Sequence, residues 1–342
     1  MGYAKKREKA IKKKRIVYLI VSIAVLIAIA GAVVVSFIFN APEWQYNVST
    51  PTLTKRAEKD MRIHYIDVGQ GDATLIELPD GKIMLVDGGD GSEEANQSLL
   101  RYLNALEITA IDYLVVTHAD IDHCGGLTEV LKYKEIKRAF LPVVQSNAEN
   151  GNNVDYVAYQ NFFTALQNEG CTQELSCREI TLSVMEGETP YTLAFLYPNT
   201  YDVNHPDDMN VSDNNASSVI WLDYKGTSAI FAGDLDREIE TKLIQQSKIG
   251  VLRKDVDLSS TEILKVAHHG SNSSTCAEWL SYLGVKTAVI SCGVNNVYGH
   301  PSLEVSQRLI AAKADVYRTD TQGTVTVTVS AEGAYTVTTG AK

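Results

Sequence analysis

The stretch VVTHADIDHCGGL, residues 115–127, constrains the fold more than any other part of the chain. Two histidines and two aspartates (His118, Asp120, Asp122 and His123) fall within six positions, after an apolar run and before a glycine pair. A short apolar run of this kind reads as a buried strand, and α/β folds gather ligands in the loops that leave their strands. In a turn, side chains two apart converge on one point, and Gly125 and Gly126 let the backbone fold back closely. The plain alternative is a polar turn in which Asp122 caps the following helix. A cap needs one such side chain, not four. Imidazole with carboxylate is a mixed N/O donor set that suits Zn²⁺, Mn²⁺ or Fe²⁺.

The rest of the chain has the same style. MRIHYIDVG, ATLIEL and GKIMLVDGG read as strands separated by glycine turns, and Leu99, Leu100, Leu103 and Leu106 have helical spacing. VDYVAYQNFFTALQNEG predicts a helix ended by Gly170. EITLSVMEG, YTLAFLYP, SSVIWLDYKGTSAIFAGD, EILKVAHHG and KTAVISCG are strand-like, with helices near 236–246, 275–283 and 302–312 and a closing hairpin of TVTVTVS and AYTVTT. The class is α/β, with polar motifs at strand ends.

The first forty residues are a separate object. Residues 1–15 carry eight Lys/Arg and one Glu, and Ile16 to Phe39 is an uncharged apolar run of 24 residues. About 20 such residues suffice to cross a membrane as a helix, and basic flanks stay in the cytoplasm. A cleaved signal peptide has a shorter apolar core of about 7–15 residues. We therefore expect a basic cytoplasmic tail (1–15), a single membrane anchor (16–39), a linker (40–60) and a folded domain (61–342) outside the cell. The tail is net +7 in a chain of net charge −11, so residues 16–342 sum to −18. Such acidity argues against a broad duplex-DNA-binding face. No CxxC pair is present among Cys124, Cys171, Cys177, Cys276 and Cys292, which argues against a thiolate zinc site. Cys171 and Cys177 are spaced to close a small disulfide loop, and residues 143–178 could cover the site as a lid.

THADIDHCGG resembles the HxHxDH signature of the metallo-β-lactamase superfamily, with Asp120 in place of the second histidine. That variant is similar to the ComEC-type DNA-uptake proteins and their soluble relatives. HYIDVGQGDATLIELPDGKIMLVDGG, NNASSVIWLDYKGTSAIFAGDLDREIE, LKVAHHGSNSS and YGHPS resemble further family motifs in the family's order, over about residues 61–330. The resemblance implies a four-layer αββα sandwich and two divalent ions, zinc or manganese. His118 and Asp120 would serve mainly one ion, Asp122 and His123 the other, and Asp234 would bridge them. His268 matches the late histidine ligand, with His269 the other candidate for that role. Asp87 matches an aspartate that orients a ligand histidine, and His300 a histidine that touches the phosphate or protonates a leaving group. Asp67, Gln70 and Asp72 are typical of the ComEC branch. The catalytic candidates are Asp122, His269 and His300. The superfamily often places another histidine ligand near Asp213, Asn214 and Asn215; none is here, His205 aside.

Two divalent ions would turn water into a nucleophile near neutral pH and neutralise a phosphodiester. The implied activity is a phosphodiesterase, acting first on single-stranded DNA. Small or cell-wall phosphodiesters, such as choline phosphate or teichoic acid, are the rival substrates. A non-catalytic, metal-stabilised surface module is the rival class. One apolar span cannot form a DNA channel, so transport would need a separate channel protein.

Overall fold

The computed structural model describes residues 2–40, 44–144, 154–205 and 212–341. The chain divides into two units, Met1–Ser49 and Thr50–Lys342. In the first, one helix, Gly2–Asn40, carries the whole apolar run. Its apolar stretch has a mean hydropathy of 2.9 with none of it buried, which makes it long and apolar enough to cross a membrane.

The second unit is built on two sheets. In chain order the strands are β1 (Met61–Tyr65), β2 (Thr74–Glu77), β3 (Ile83–Val86), β4 (Ala110–Ile111), β5 (Tyr113–Val115), β6 (Glu135–Ile136), β7 (Arg138–Leu141) and β8 (Thr172–Leu175). There follow β9 (Tyr191–Tyr197), β10 (Val219–Tyr224), β11 (Thr227–Phe231), β12 (Ile263–Lys265), β13 (Thr287–Ile290), β14 (Asp315–Arg318), β15 (Thr324–Val329) and β16 (Tyr335–Ala341). One sheet has the order β16-β15-β1-β2-β3-β5-β7-β8, the other β14-β13-β12-β11-β10-β9, and β4 pairs β6 apart from both. The alternation in TVTVTV finds its reason here. Val325, Val327 and Val329 are buried, with Val327 paired opposite Ile63 of β1.

Met61, Ile63, Tyr65, Val115 and Phe140 of the first sheet form one apolar cluster with Leu193, Phe195, Ile220, Phe231 and Val289 of the second. That cluster is the interlayer core, as expected when the inner faces of two sheets interdigitate. Outside the second sheet, Trp221, Ile230 and Leu264 pack with Ile239, Leu243, Trp279, Leu280, Val305 and Leu309. These come from the helices Arg237–Lys248, Ala277–Leu283 and Leu303–Ala311. Outside the first sheet, the helix Glu93–Ala105 buries Leu99, Leu100, Tyr102 and Leu103, and the Tyr102 ring meets His64 of β1 at 5.5 Å. The architecture is the αββα sandwich.

Strands β3, β5 and β7 are mutually parallel, as are β11, β12, β13 and β14. The loops leaving β3, β5, β11, β12 and β13 bring together the polar motifs of the sequence.

Two local expectations fail. EITLSVMEG forms no strand; only the bridges Thr181–Ala194 and Val184–Tyr191 touch β9, and Met185 is exposed. Cys171 and Cys177 are unpaired. The four residues of β8 lie between them, and an extended strand at about 3.3 Å per residue separates its ends far beyond the ~7 Å Cα span of a disulfide. His205 is exposed at the end of the helix Thr200–Asn204 with its ring on Tyr201, so it supplies nothing to the 118–123 cluster. Of the suggested lid, residues 145–153 lie outside the described residues. Its helix Val154–Gln167 is packed down through Tyr159, Phe162 and Leu166.

Candidate metal centre

The strand β5 runs on through Val116 and Thr117 into His118, and the one-turn helix Ile121–Cys124 follows. Two neighbouring loops clasp this turn. Gly88 N–H donates to the His123 carbonyl at 2.7 Å, and Gly126 N–H to Gly89 at 3.0 Å. A Cβ on Gly126 would lie 2.1 Å from the Gly88 carbonyl oxygen, so only glycine permits this approach. From the other side Asp72 N–H donates to the Asp122 carbonyl at 3.0 Å, and Gly71, at φ +139°, would put a Cβ 2.4 Å from the same oxygen. Gly71 of DVGQGD and both glycines of CGG serve these close contacts.

Each central histidine has one nitrogen tied back and the other aimed inward. His123 Nδ1 bonds Asp87 Oδ2 at 2.8 Å, His118 Nδ1 meets Thr117 Oγ1 at 3.1 Å, and His269 Nδ1 bonds the Ser291 carbonyl at 3.0 Å. Thr117 Oγ1 itself donates to Asp87 Oδ2 at 2.7 Å, which leaves it free to accept from His118. Acceptors on Nδ1 assign the proton there and leave the Nε2 lone pair for a ligand. The Nε2 atoms of His118, His123 and His269 are all buried without a hydrogen-bond partner, as is Asp234 Oδ1.

Those atoms converge on Asp234, which follows β11 and is 2% exposed. His123 Nε2 lies 3.1 Å from its Oδ1, and the Nε2 atoms of His269, His268 and His118 lie 3.6, 3.7 and 4.0 Å from its Oδ2. Asp122 Oδ2 is 3.1 Å from His269 Nε2, and Asp120 Oδ2 is 3.5 Å from His118 Nε2. Two donors about 2.1 Å from one tetrahedral cation are about 3.4 Å apart, close to these spacings. Donors gathered at that distance yet not hydrogen-bonded fit a bound divalent ion.

Asp72 also approaches the group, with a donor atom within 4.8 Å of those of His123, Asp234 and His269. It stands behind the rings. Its oxygens face the Nδ1 atoms of His269 and His123 at 3.6 and 3.8 Å, and its Oδ2 is ion-paired with the buried ammonium of Lys265 at the end of β12. Asp72, Asp87, Asp120, Asp122 and Asp234 thus meet one lysine. Two divalent cations would bring that sum to zero, whereas one would leave −2.

The electrostatics agree. Burial would depress the His123 pKa, but Asp234 and Asp87 outweigh it and hold it well above its ordinary value. Burial would raise Asp234, yet His123 and His269 hold it well below the carboxylate range. A field that favours positive charge on imidazole also favours a cation.

The other sequence candidates fall into place around this core. His268 and His269 both have left-handed backbones, which turn the adjacent rings apart, at 76° to one another. His269 is buried, whereas the side chain of His268 is 25% exposed and faces Asp236, Asn214 and His300. His300 is half-buried, 5.7 Å from the His268 ring and 6.4 Å from the His269 ring, with its pKa lowered by burial and by those two imidazoles. Asp67 N–H donates to Thr324 Oγ1 at 3.0 Å, and Gln70 Oε1 accepts from Gly293 N–H at 3.1 Å, so both anchor the loop of Asp72. Where the superfamily often has a histidine, Asn215 Oδ1 accepts from Asp236 N–H at 2.9 Å and Asn214 lies 3.4 Å from His268. Lys265, Thr117 and Ser291 escaped the sequence reading. The signal for Lys265 was a lone charge in an otherwise apolar strand before HHG.

A family model described as the metallo-beta-lactamase superfamily matches residues 66–139, from the DVGQGD loop through HADIDH to β7. The chain is 30% identical over 290 residues to ComE operon protein 3 of Bacillus subtilis, covering 80% of this chain and 33% of that protein. It is 28% identical to Recombination protein 2 of Haemophilus influenzae, covering 78% and 28% respectively. The chain therefore spans about a third of the length of these curated relatives. Among solved structures, a variant of CmlA beta-hydroxylase superposes with a TM-score of 0.46 at 12% identity, covering 77% of this chain and 53% of the other. The αββα sandwich, the HADIDH turn and the family match place residues 66–139 in the metallo-β-lactamase superfamily, and the chain is similar to the ComEC-type proteins over about a third of their length.

Proposed function

We propose that the chain is a membrane-anchored phosphodiesterase that cleaves single-stranded DNA on the outer face of the cell. The observation that carries this reading is the convergence of three buried, unpartnered Nε2 atoms and two carboxylates on Asp234. His118, Asp120 and Asp234 would hold one divalent ion, and Asp122, His123, His269 and Asp234 the other. Asp87 orients His123 and the Ser291 carbonyl orients His269, with the Asp72 carboxylate behind both rings. When bound, zinc or manganese ions make a water nucleophile available at neutral pH and neutralise phosphodiester charge. His268, partly exposed at the mouth, can donate to a phosphoryl oxygen. His300, held neutral, offers an N–H toward the leaving oxygen.

Recombination protein 2, and Competence protein ComA of Neisseria gonorrhoeae (27% identical over 266 residues), support by their names DNA as the substrate. The helix Gly2–Asn40, with its basic start, supports a single-pass anchor with the second unit outside. Passage of DNA across the membrane would fall to a separate channel protein. The −18 charge of residues 16–342 favours a second reading, in which the substrate is a small or cell-wall phosphodiester that needs no basic track.

Full-length protein in detergent, assayed for metal content and for hydrolysis of 5′-labelled single-stranded DNA and choline-phosphate esters, tests both. The DNA reading expects two Zn or Mn per chain, DNA turnover, and loss of turnover in Asp122→Ala and Asp234→Ala. Turnover confined to choline-phosphate esters moves the activity to the second reading. Two bound metals with no phosphodiester turnover refute both and leave a binding module.

A further inference from the structure

Beside the metal centre the loop 294–299 leaves an apolar ledge in solvent. Val294, Val297 and Tyr298 are 63%, 93% and 66% exposed. Tyr298 is not a loose surface residue. Its ring lies 5.7 Å from that of His300 and 25° from parallel, and His300 in turn lies 24° from parallel with His269. Two ring-to-ring steps therefore connect solvent to the cluster at Asp122 and Asp234. The loop is braced from within. Asn296 Nδ2 donates to the Gly293 and His300 carbonyls at 2.9 and 2.6 Å, and its Oδ1 accepts from His300 N–H at 2.9 Å. The Tyr298 ring thus rises from a braced loop, and among the described residues its outer face pairs with no other ring.

We infer that Tyr298 is a stacking platform for the nucleobase that flanks the scissile phosphate, an inference that rests on the phosphodiesterase reading above. A flat ring on a braced loop at the mouth of a hydrolytic centre suits a planar base, because every base has a π-face and stacking is tolerant of sequence. If the substrate is DNA, the charge balance also bears on how it is held. With −18 over residues 16–342, phosphate attraction is weak here, and single-strand recognition must draw on contacts other than a basic groove. The apolar side chains of Val294 and Val297 extend the ledge along which a neighbouring sugar or base would lie.

The test compares full-length, Mn²⁺-loaded protein on an oligothymidylate with an abasic oligomer of the same length, for wild type, Tyr298→Ala and Tyr298→Phe. Stacking is worth enough that Tyr298→Ala should lower kcat/KM on oligothymidylate about tenfold, mainly through KM. The same variant should act on the abasic oligomer as wild type does, Tyr298→Phe should retain wild-type activity on both, and metal content should not change. In an Asp122→Asn background, the Kd for labelled oligothymidylate by fluorescence anisotropy should weaken by the same factor on adding Tyr298→Ala. Equal activity of Tyr298→Ala and wild type on oligothymidylate overturns the platform while leaving the hydrolase intact. An equal loss on both oligomers also overturns it, because that reports a damaged centre. No turnover of either oligomer by wild type overturns the single-stranded-DNA reading, and the platform with it.

Discussion

Asp87→Asn isolates how the protein presets its ligand histidines. The Asp87 carboxylate is 1% exposed and accepts three hydrogen bonds: from Thr117 N–H at 2.8 Å on Oδ1, and from Thr117 Oγ1 at 2.7 Å and His123 Nδ1 at 2.8 Å on Oδ2. Asparagine has one oxygen and one NH₂ for these positions. With the NH₂ at Oδ1 it would confront the buried Thr117 N–H, at a cost of about 1–3 kcal/mol. With the NH₂ at Oδ2, Thr117 Oγ1 can rotate to accept, and His123 must accept at Nδ1. The His123 proton then moves to Nε2, the atom that faces Asp234 at 3.1 Å. The ligand lone pair is lost without any change of shape. Removing such a supporting carboxylate typically weakens metal binding about 10–100-fold, equivalent to about 1.4–2.7 kcal/mol. Titration of metal-free full-length protein with Zn²⁺ against a competing chelator measures the change directly, and circular dichroism checks that the fold is kept. A folded Asp87→Asn protein that binds both metals as tightly as wild type would refute the tautomer argument.

Two further substitutions probe charge outside the ligand set. Lys265→Met should destabilise the metal-free protein by about 3–5 kcal/mol, because the buried Asp72 carboxylate loses its cation, and adding Asp72→Leu should restore most of the loss. Thermal unfolding decides it: single and double variants with the same Tm contradict the pairing. Glu240 accepts from Thr275 and Cys276 N–H and is pushed up to about 7 by burial. Its folded pKa exceeds its unfolded value, so the folded state holds the proton more tightly between about pH 4.5 and 7. Its contribution is therefore complete below that window and is lost as pH rises through it, by about 3 kcal/mol. In urea unfolding from pH 4.5 to 8, Glu240→Gln should remove this downward slope; parallel wild-type and variant profiles would count against it.

Much of the centre could be read from the chain because its first ligands are local. His118, Asp120, Asp122 and His123 share one turn after β5, and the short-range signals of strand, polar turn and glycine pair coincide there. Asp87 and Asp234 were reached only through the family resemblance, because a single aspartate after an apolar strand is also an ordinary turn. The HHG pair was ambiguous. Adjacent residues point apart in a left-handed turn, and only the three-dimensional packing distinguishes the buried His269 from the partly exposed His268. The Asp72–Lys265 pair was invisible because its members stand 193 positions apart and meet only when the two sheets close. Cys171 and Cys177 misled because sequence spacing says nothing about whether the chain between them turns or extends; it extends, as β8. The 179–187 stretch has the composition of a strand but makes only isolated bridges to β9.

The place of β15 in the first sheet has a consequence for how the protein matures. β1, which leads directly into the loop of Asp67 and Asp72, is flanked by β15 with Met61 opposite Val329. Pairing across such a sequence separation is slow to form, since the intervening chain must be brought together first. A growing polypeptide that has not yet released Thr324–Val329 lacks one neighbour of β1 and the Thr324 hydroxyl that holds the Asp67 backbone. The loop of Asp72, and with it the wall of the metal centre, should therefore settle only after Thr324–Val329 has left the ribosome.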